Sequence, residues 1–116
     1  MRLLIIGCGS IGTVLANAAD SIEEIDRFYL TDKVEEKAKA TVKEHPKARY
    51  LHFEDIAILQ AMDDVELVIE AASHEAVRKF APICLERGRD IMVMSVGAFA
   101  DDDLRQRCYA LSKNKR

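Results

Sequence analysis

The sequence predicts an α/β fold: a doubly wound parallel sheet of about five strands with helices on both faces. Two observations carry this. Short all-apolar runs, of which residues 3–6 (LLII) are the first, read as strands buried on both faces. Segments with helical apolar spacing alternate with those runs along the chain. Such alternation, joined by right-handed crossovers, stacks helices on the two faces of one sheet.

After the first strand, Ile11, Val14, Leu15, Ala18, Ala19 and Ile22 recur at helical spacing. Residues 28–30 are the second strand. Residues 34–44, rich in Glu, Lys and Ala, form a solvated helix closed off by Pro46. A third strand is expected at 49–53, then a short helix at 55–62 capped by Asp55. Residues 67–69 make the fourth strand. Residues 74–87 make a helix that Gly88 stops, with Pro82 predicting a kink or a restart inside it. Residues 91–94 are the fifth strand. Asp101, Asp102 and Asp103 then cap a last helix whose inner face carries Leu104, Cys108 and Leu111.

Composition narrows the function. A chain of 116 residues suits one domain, and its 49% hydrophobic and 32% charged residues are ordinary for a globular protein. The net charge of −3 is spread along the chain without a basic stripe, so no nucleic-acid partner is expected. The short basic stretch at 113–116 reads as a frayed end. No apolar run approaches the ~18 residues of a membrane span, and the N-terminal run ends in glycines rather than a cleavage site. A cytoplasmic protein with no membrane partner is the expectation. Cys8, Cys84 and Cys108 lack CxxC spacing, which argues against disulfides and zinc. No metal-ligand spacing is present; His45 and His52 read as surface residues.

The residues with chemistry begin at "GCGSIG". Gly7, Gly9 and Gly12 match G-x-G-x-x-G: the first for a tight turn, the second for close approach of a pyrophosphate, the third for close packing of helix on sheet. The helix N-terminus offers free N–H groups to phosphates. Asp32 follows the second strand, twenty positions after Gly12, where an acid that binds the adenosine ribose should stand. These elements in register define a dinucleotide-binding domain of Rossmann type. Asp32 favours NAD by repelling a 2′-phosphate, while the adjacent Lys33 leaves NADP open.

At the end of the fourth strand stand Glu70, Ala71, Ala72, Ser73 and His74. Small residues there let backbone approach a cofactor, and Ser73 can cap the next helix. His74, without an identified partner, reads as a solvated histidine, and Glu70 as a lone carboxylate. Residues 95–98 reach the same edge, either as part of a nicotinamide pocket or as a simple loop. Cys8 sits near a helix N-terminus, which can activate a thiol, but it reads as an ordinary small loop residue.

"GCGSIG", "EAASHEAVR" and "DIMVMSVGAFADDDL", at this mutual spacing, resemble the L-aspartate dehydrogenase family, and are similar to the nucleotide-binding halves of homoserine dehydrogenases. The resemblance implies oxidation of L-aspartate to iminoaspartate with NAD or NADP, which in some organisms feeds NAD biosynthesis. It places cofactor contacts on Gly9, Ser10, Ile11, Asp32, Ala71, Ala72, Ser73, Ser95 and Ala98. The family's catalytic histidine and substrate pockets lie in a second domain, beyond residue 116. Residues 1–116 are therefore expected to be the dinucleotide-binding domain, with no catalytic residue of their own. Half of a split dehydrogenase and an NAD-sensing module are the alternatives. If the strand order is 3-2-1-4-5, the fifth strand is an apolar, uncharged edge, and this edge, or the face a second domain would cover, is expected to be buried in a homo-oligomer; a separately encoded catalytic domain is the alternative partner.

Overall fold

A computed structural model describes residues 1–114, with side chains through Lys113; Lys115 and Arg116 of the basic stretch lie outside the described residues. The element order is β1 (Arg2–Ile6), α1 (Ser10–Ser21), β2 (Arg27–Thr31), α2 (Glu35–Lys43), β3 (Ala48–Tyr50), α3 (Asp55–Asp63), β4 (Leu67–Glu70), α4 (His74–Glu86), β5 (Asp90–Val93), a 3-10 turn (Val96–Ala100) and α5 (Asp102–Asn114). The strands form one sheet in the order β3-β2-β1-β4-β5, with every pair parallel. The α/β fold is the one the sequence predicts, and the strand order is the one supposed for its edge.

Strand alternation sorts the core into two layers. Leu3, Ile5, Phe28 and Leu30 face α1 and α2 and pack with Ala16, Ala19 and Ala38. Leu4, Ile6 and Val68 face α3 and α4 and pack with Ile58, Met62 and Phe80. Phe28 and Phe80 are almost fully buried, each contributing about 3 kcal/mol by area. A third cluster joins the outer side of α4 (Val77, Ala81) to Ala98 and to Leu104 and Cys108 of α5.

Several local expectations change. In α1 the buried residues are Gly12, Ala16 and Ala19, while Ile11 and Val14 are exposed. Asp55 is the first residue of α3 rather than its cap; the cap position is Glu54, whose side chain makes no capping bond. Asp55 instead pairs with Lys79 at 2.7 Å. Helix α4 runs unbroken past Pro82, because both its faces are packed, Phe80 and Cys84 toward the sheet and Val77 and Ala81 toward α5. That burial offsets the ~3 kcal/mol a helix-interior proline costs. β3 is shorter than expected, since only Ala48–Tyr50 register with Phe28, Tyr29 and Leu30. β5 begins at Asp90, so this edge strand does carry a charge.

His45 is not a surface residue. It is 6% exposed, with Nδ1 2.8 Å from the Thr41 carbonyl, Nε2 2.6 Å from Asn17 Oδ1, and its ring edge-on to Phe28. It ties the end of α2 to α1. The caps at Ser73 and Asp101 form as expected: Ser73 Oγ accepts from the Ala76 N–H at 3.1 Å, and Asp101 Oδ1 from the Leu104 N–H at 3.2 Å. Gly88, at φ +74°, ends α4. Among the described residues no helix is long and apolar enough to cross a membrane.

Candidate functional site

The strand order reverses between β1 and β4, and the loops that leave their carboxyl ends diverge to opposite faces. A crevice forms at such a point. Here it is a cleft of about 350 Å³ between the glycine loop, the β2–α2 loop and the start of α4, within the range of small-molecule sites.

The glycine loop is shaped by contact. Gly7 has φ +117°, and a Cβ on it would lie 2.5 Å from the Ala71 carbonyl oxygen. A Cβ on Gly12 would lie 2.1 Å from the Gly7 carbonyl oxygen. Both positions therefore exclude any side chain. Gly9 differs: a Cβ there would meet nothing within 4 Å. Its bareness leaves room in front of the loop. Gly9 is also the N-cap of α1, so no side chain occupies the first turn's N–H groups.

Asp32 stands on the rim. Its Oδ2 accepts from the Cys8 N–H and its Oδ1 from the Val34 N–H, both at 2.7 Å. It does not cap α2, whose cap position is Val34. A carboxylate offers about four acceptor positions, so roughly one on each oxygen stays open toward the cleft. The neighbouring Lys33 turns its ammonium to Glu75 of α4, at 3.7 Å. Both groups are largely exposed, so this pair contributes little stability.

The sequence-predicted residues divide into three groups. Gly7, Gly9, Asp32, Ala71, Ala72 and Ser73 line the cleft together. Ser10 and Ile11 are exposed on the first turn of α1, with Gly12 buried behind them. Ser95 and Ala98 stand apart: Ser95 Oγ donates to Glu70 at 2.7 Å, and Ala98 is buried in the α4–α5 cluster. Cys8 is 5% exposed and its thiol is pushed up to about 12, by burial first and the Asp32 carboxylate second, with Lys37 opposing. Burial thus opposes the activation that a helix N-terminus can give a thiol. His74 is exposed with its ring against Gly97, where a Cβ would come within 2.7 Å of Nε2.

Sequence reasoning missed Phe53, Lys37 and Lys79 as wall residues of the cleft. The lysines sit in the early turns of α2 and α4, above the carboxyl edge of the sheet. Their place in the element order could have marked them; Phe53 follows the shortest strand and had no such signal.

The cleft suits a dinucleotide: a bare glycine with open space before it, an uncapped helix N-terminus behind it, and a rim carboxylate with acceptor positions to spare. Fold and site together define a dinucleotide-binding domain. The chain belongs to the family described as "Homoserine dehydrogenase, NAD binding domain", whose pattern matches residues 7–116. It is similar to the L-aspartate dehydrogenases of Methanosarcina barkeri (37% identical, over 97% of this chain and 41% of that protein) and Methanothermobacter thermautotrophicus (34%, over 97% and 42%). Among solved structures, aspartate dehydrogenase from Thermotoga maritima matches with TM-score 0.68 at 28% identity, over 98% of this chain and 42% of that one. A myo-inositol dehydrogenase from Corynebacterium glutamicum matches with TM-score 0.77 at 17% identity, over 99% and 33%, and shares the fold alone. The chain spans about two fifths of the length of these curated relatives. It is an NAD-binding domain of the aspartate-dehydrogenase-like kind.

Proposed function

We propose that this chain supplies the cofactor-holding part of an NAD-dependent oxidoreductase acting on L-aspartate. The observation that carries the reading is the position of the Asp32 carboxylate, on the rim of the cleft that the Gly7–Gly9 loop and Ala71–Ser73 share. Bound NAD supplies a hydride acceptor. The residues described here bind and orient it: the Asp32 carboxylate accepts from ribose hydroxyls, the first-turn N–H groups of α1 donate to the pyrophosphate, and Ala71, Ala72 and Ser73 form the opposite wall. Ser95 lies outside this wall and is tied to it through Glu70.

NAD is favoured over NADP. A 2′-phosphate would meet the Asp32 carboxylate, and the ammonium of the adjacent Lys33 is turned toward Glu75. Substrate capture and the acid–base group belong, in this reading, to the part of the relatives' length that this chain does not match.

Calorimetric titration with NAD and NADP, followed by an assay for aspartate-dependent NADH formation, tests the proposal. Saturable binding, tighter for NAD, is expected of the chain. No heat of binding with either dinucleotide would overturn it. Turnover of aspartate by these 116 residues alone would refute the division of labour.

A further inference from the structure

We infer that Glu70 is a positioning residue for the cofactor cleft, clamping its β4–α4 wall to the segment that follows β5. This rests on the NAD-binding reading above. Glu70 ends β4 and is fully buried. Its Oε2 accepts from the Ala72 N–H at 2.8 Å, the Ser73 N–H at 2.9 Å and the Ser95 hydroxyl at 2.7 Å. Its Oε1 accepts from the Ser95 N–H at 2.9 Å and shares the Met94 N–H, at 3.2 Å, with the Glu70 main-chain carbonyl, which accepts it at 2.9 Å. The carboxylate is thus held by backbone amides and one hydroxyl from two loops, one of them 25 residues beyond Glu70 in sequence.

Five donors saturate a carboxylate, which has about four acceptor positions. Glu70 therefore has nothing left to offer a ligand, unlike Asp32 with its two donors. Its effect passes through what it holds. Oε2 fixes the turn of Ala71, Ala72 and Ser73, which walls the cleft and meets Gly7. Oε1 fixes Met94 and Ser95, outside the cleft wall. One rigid side chain joins the two, so ordering one loop orders the other.

Glutamine cannot replace it. Its single oxygen can take only one of the two carboxylate positions, and its amide would then face the N–H donors at the other. Glu70→Gln should weaken binding of NAD, and of ADP as a probe without nicotinamide, by about ten-fold or more. The amide resonances of one donor pair, Ala72/Ser73 or Met94/Ser95, should shift while those of β1 and β2 stay. Asp64→Asn serves as the control: it breaks a polar cluster at the amino ends of the strands, so it should lower stability and leave both affinities unchanged.

A folded Glu70→Gln protein with wild-type affinity for both ligands would overturn the inference. Should that variant fail to fold, hydrogen exchange on the wild-type protein decides. ADP should protect the amides of Met94 and Ser95 together with those of Ala72 and Ser73; protection confined to the latter pair would overturn it. Wild-type protein that binds neither ligand overturns the NAD-binding reading as well. Wild-type binding with an unaffected Glu70→Gln overturns this inference alone.

Discussion

The Gly7 carbonyl oxygen occupies the place where residue 12 would carry a β-carbon, 2.1 Å from it. This contact fixes the rotation of α1. With Gly12 turned inward, Ala16 and Ala19 follow one and two turns later onto the sheet, and Ile11 and Val14 turn outward. The helix can lie close to the strands only because its inner face is small.

Gly12→Ala should therefore destabilise the domain by about 3 kcal/mol or more, since backbone and not a flexible side chain must yield. Gly9→Ala should fold normally, because a Cβ there meets open space, and should lose NAD affinity by occupying that space. Urea unfolding and calorimetry separate the two. A normal midpoint for Gly12→Ala would remove the proposed origin of the helix rotation.

Asp32→Ala should weaken NAD binding by about ten-fold and narrow the preference for NAD over NADP. Some stability will go too, because the Cys8 and Val34 N–H groups lose their acceptor. Adenosine alone should show the same loss as NAD. Equal affinity of wild type and variant for adenosine would exclude the ribose role.

At the far end of the sheet, Asp64 and Tyr29 predict two pH limbs. Tyr29 donates to Asp64 at 2.6 Å, which holds the Asp64 carboxyl below its ordinary 3.8, with Arg2 and Arg27 adding. The contribution of Asp64 is present above that ordinary value and lost as pH falls through the depressed one. The same bond raises the Tyr29 phenol above 10.0, so its contribution is present below that value and lost as pH rises through the raised one. The stability gap between wild type and Asp64→Asn should narrow as pH falls below the ordinary 3.8, and that for Tyr29→Phe as pH rises above the ordinary 10.0. Denaturant midpoints across pH measure both. A gap for Asp64→Asn that does not narrow at all as pH falls below 3.8 would contradict the assignment.

Cys8 should resist alkylation. With its thiol pushed up to about 12 and 5% exposed, it is neutral near pH 8. Iodoacetamide should label it only after unfolding, as read by mass spectrometry. Rapid labelling of native protein would show that the loop opens.

The candidate site was half legible. Gly7, Gly9, Asp32 and Ala71–Ser73 could be named because a glycine turn, an acid after the second strand and small residues after the fourth are local patterns, and the structure gathers them in one cleft. Phe53, Lys37 and Lys79 escaped because they reach it by the way loops fold back over the sheet. His45 was misjudged for a related reason: its partners are Thr41, close in sequence, and Asn17, which only the packing of α1 on α2 supplies.

By itself the sequence determined the fold class, the order of the elements and the kind of cofactor. Periodicity and glycine spacing express local backbone preferences, and they need no knowledge of distant neighbours. Only the tertiary structure decided which face of α1 is buried, that α4 passes Pro82 unbroken, and that Glu70 is saturated by two loops while Asp32 keeps acceptor positions open. Those outcomes depend on which donors, carbonyls and side chains meet across the sheet. Two carboxylates at the carboxyl ends of β2 and β4 look alike in sequence; the number of N–H groups aimed at each saturates one and leaves the other with acceptor positions open.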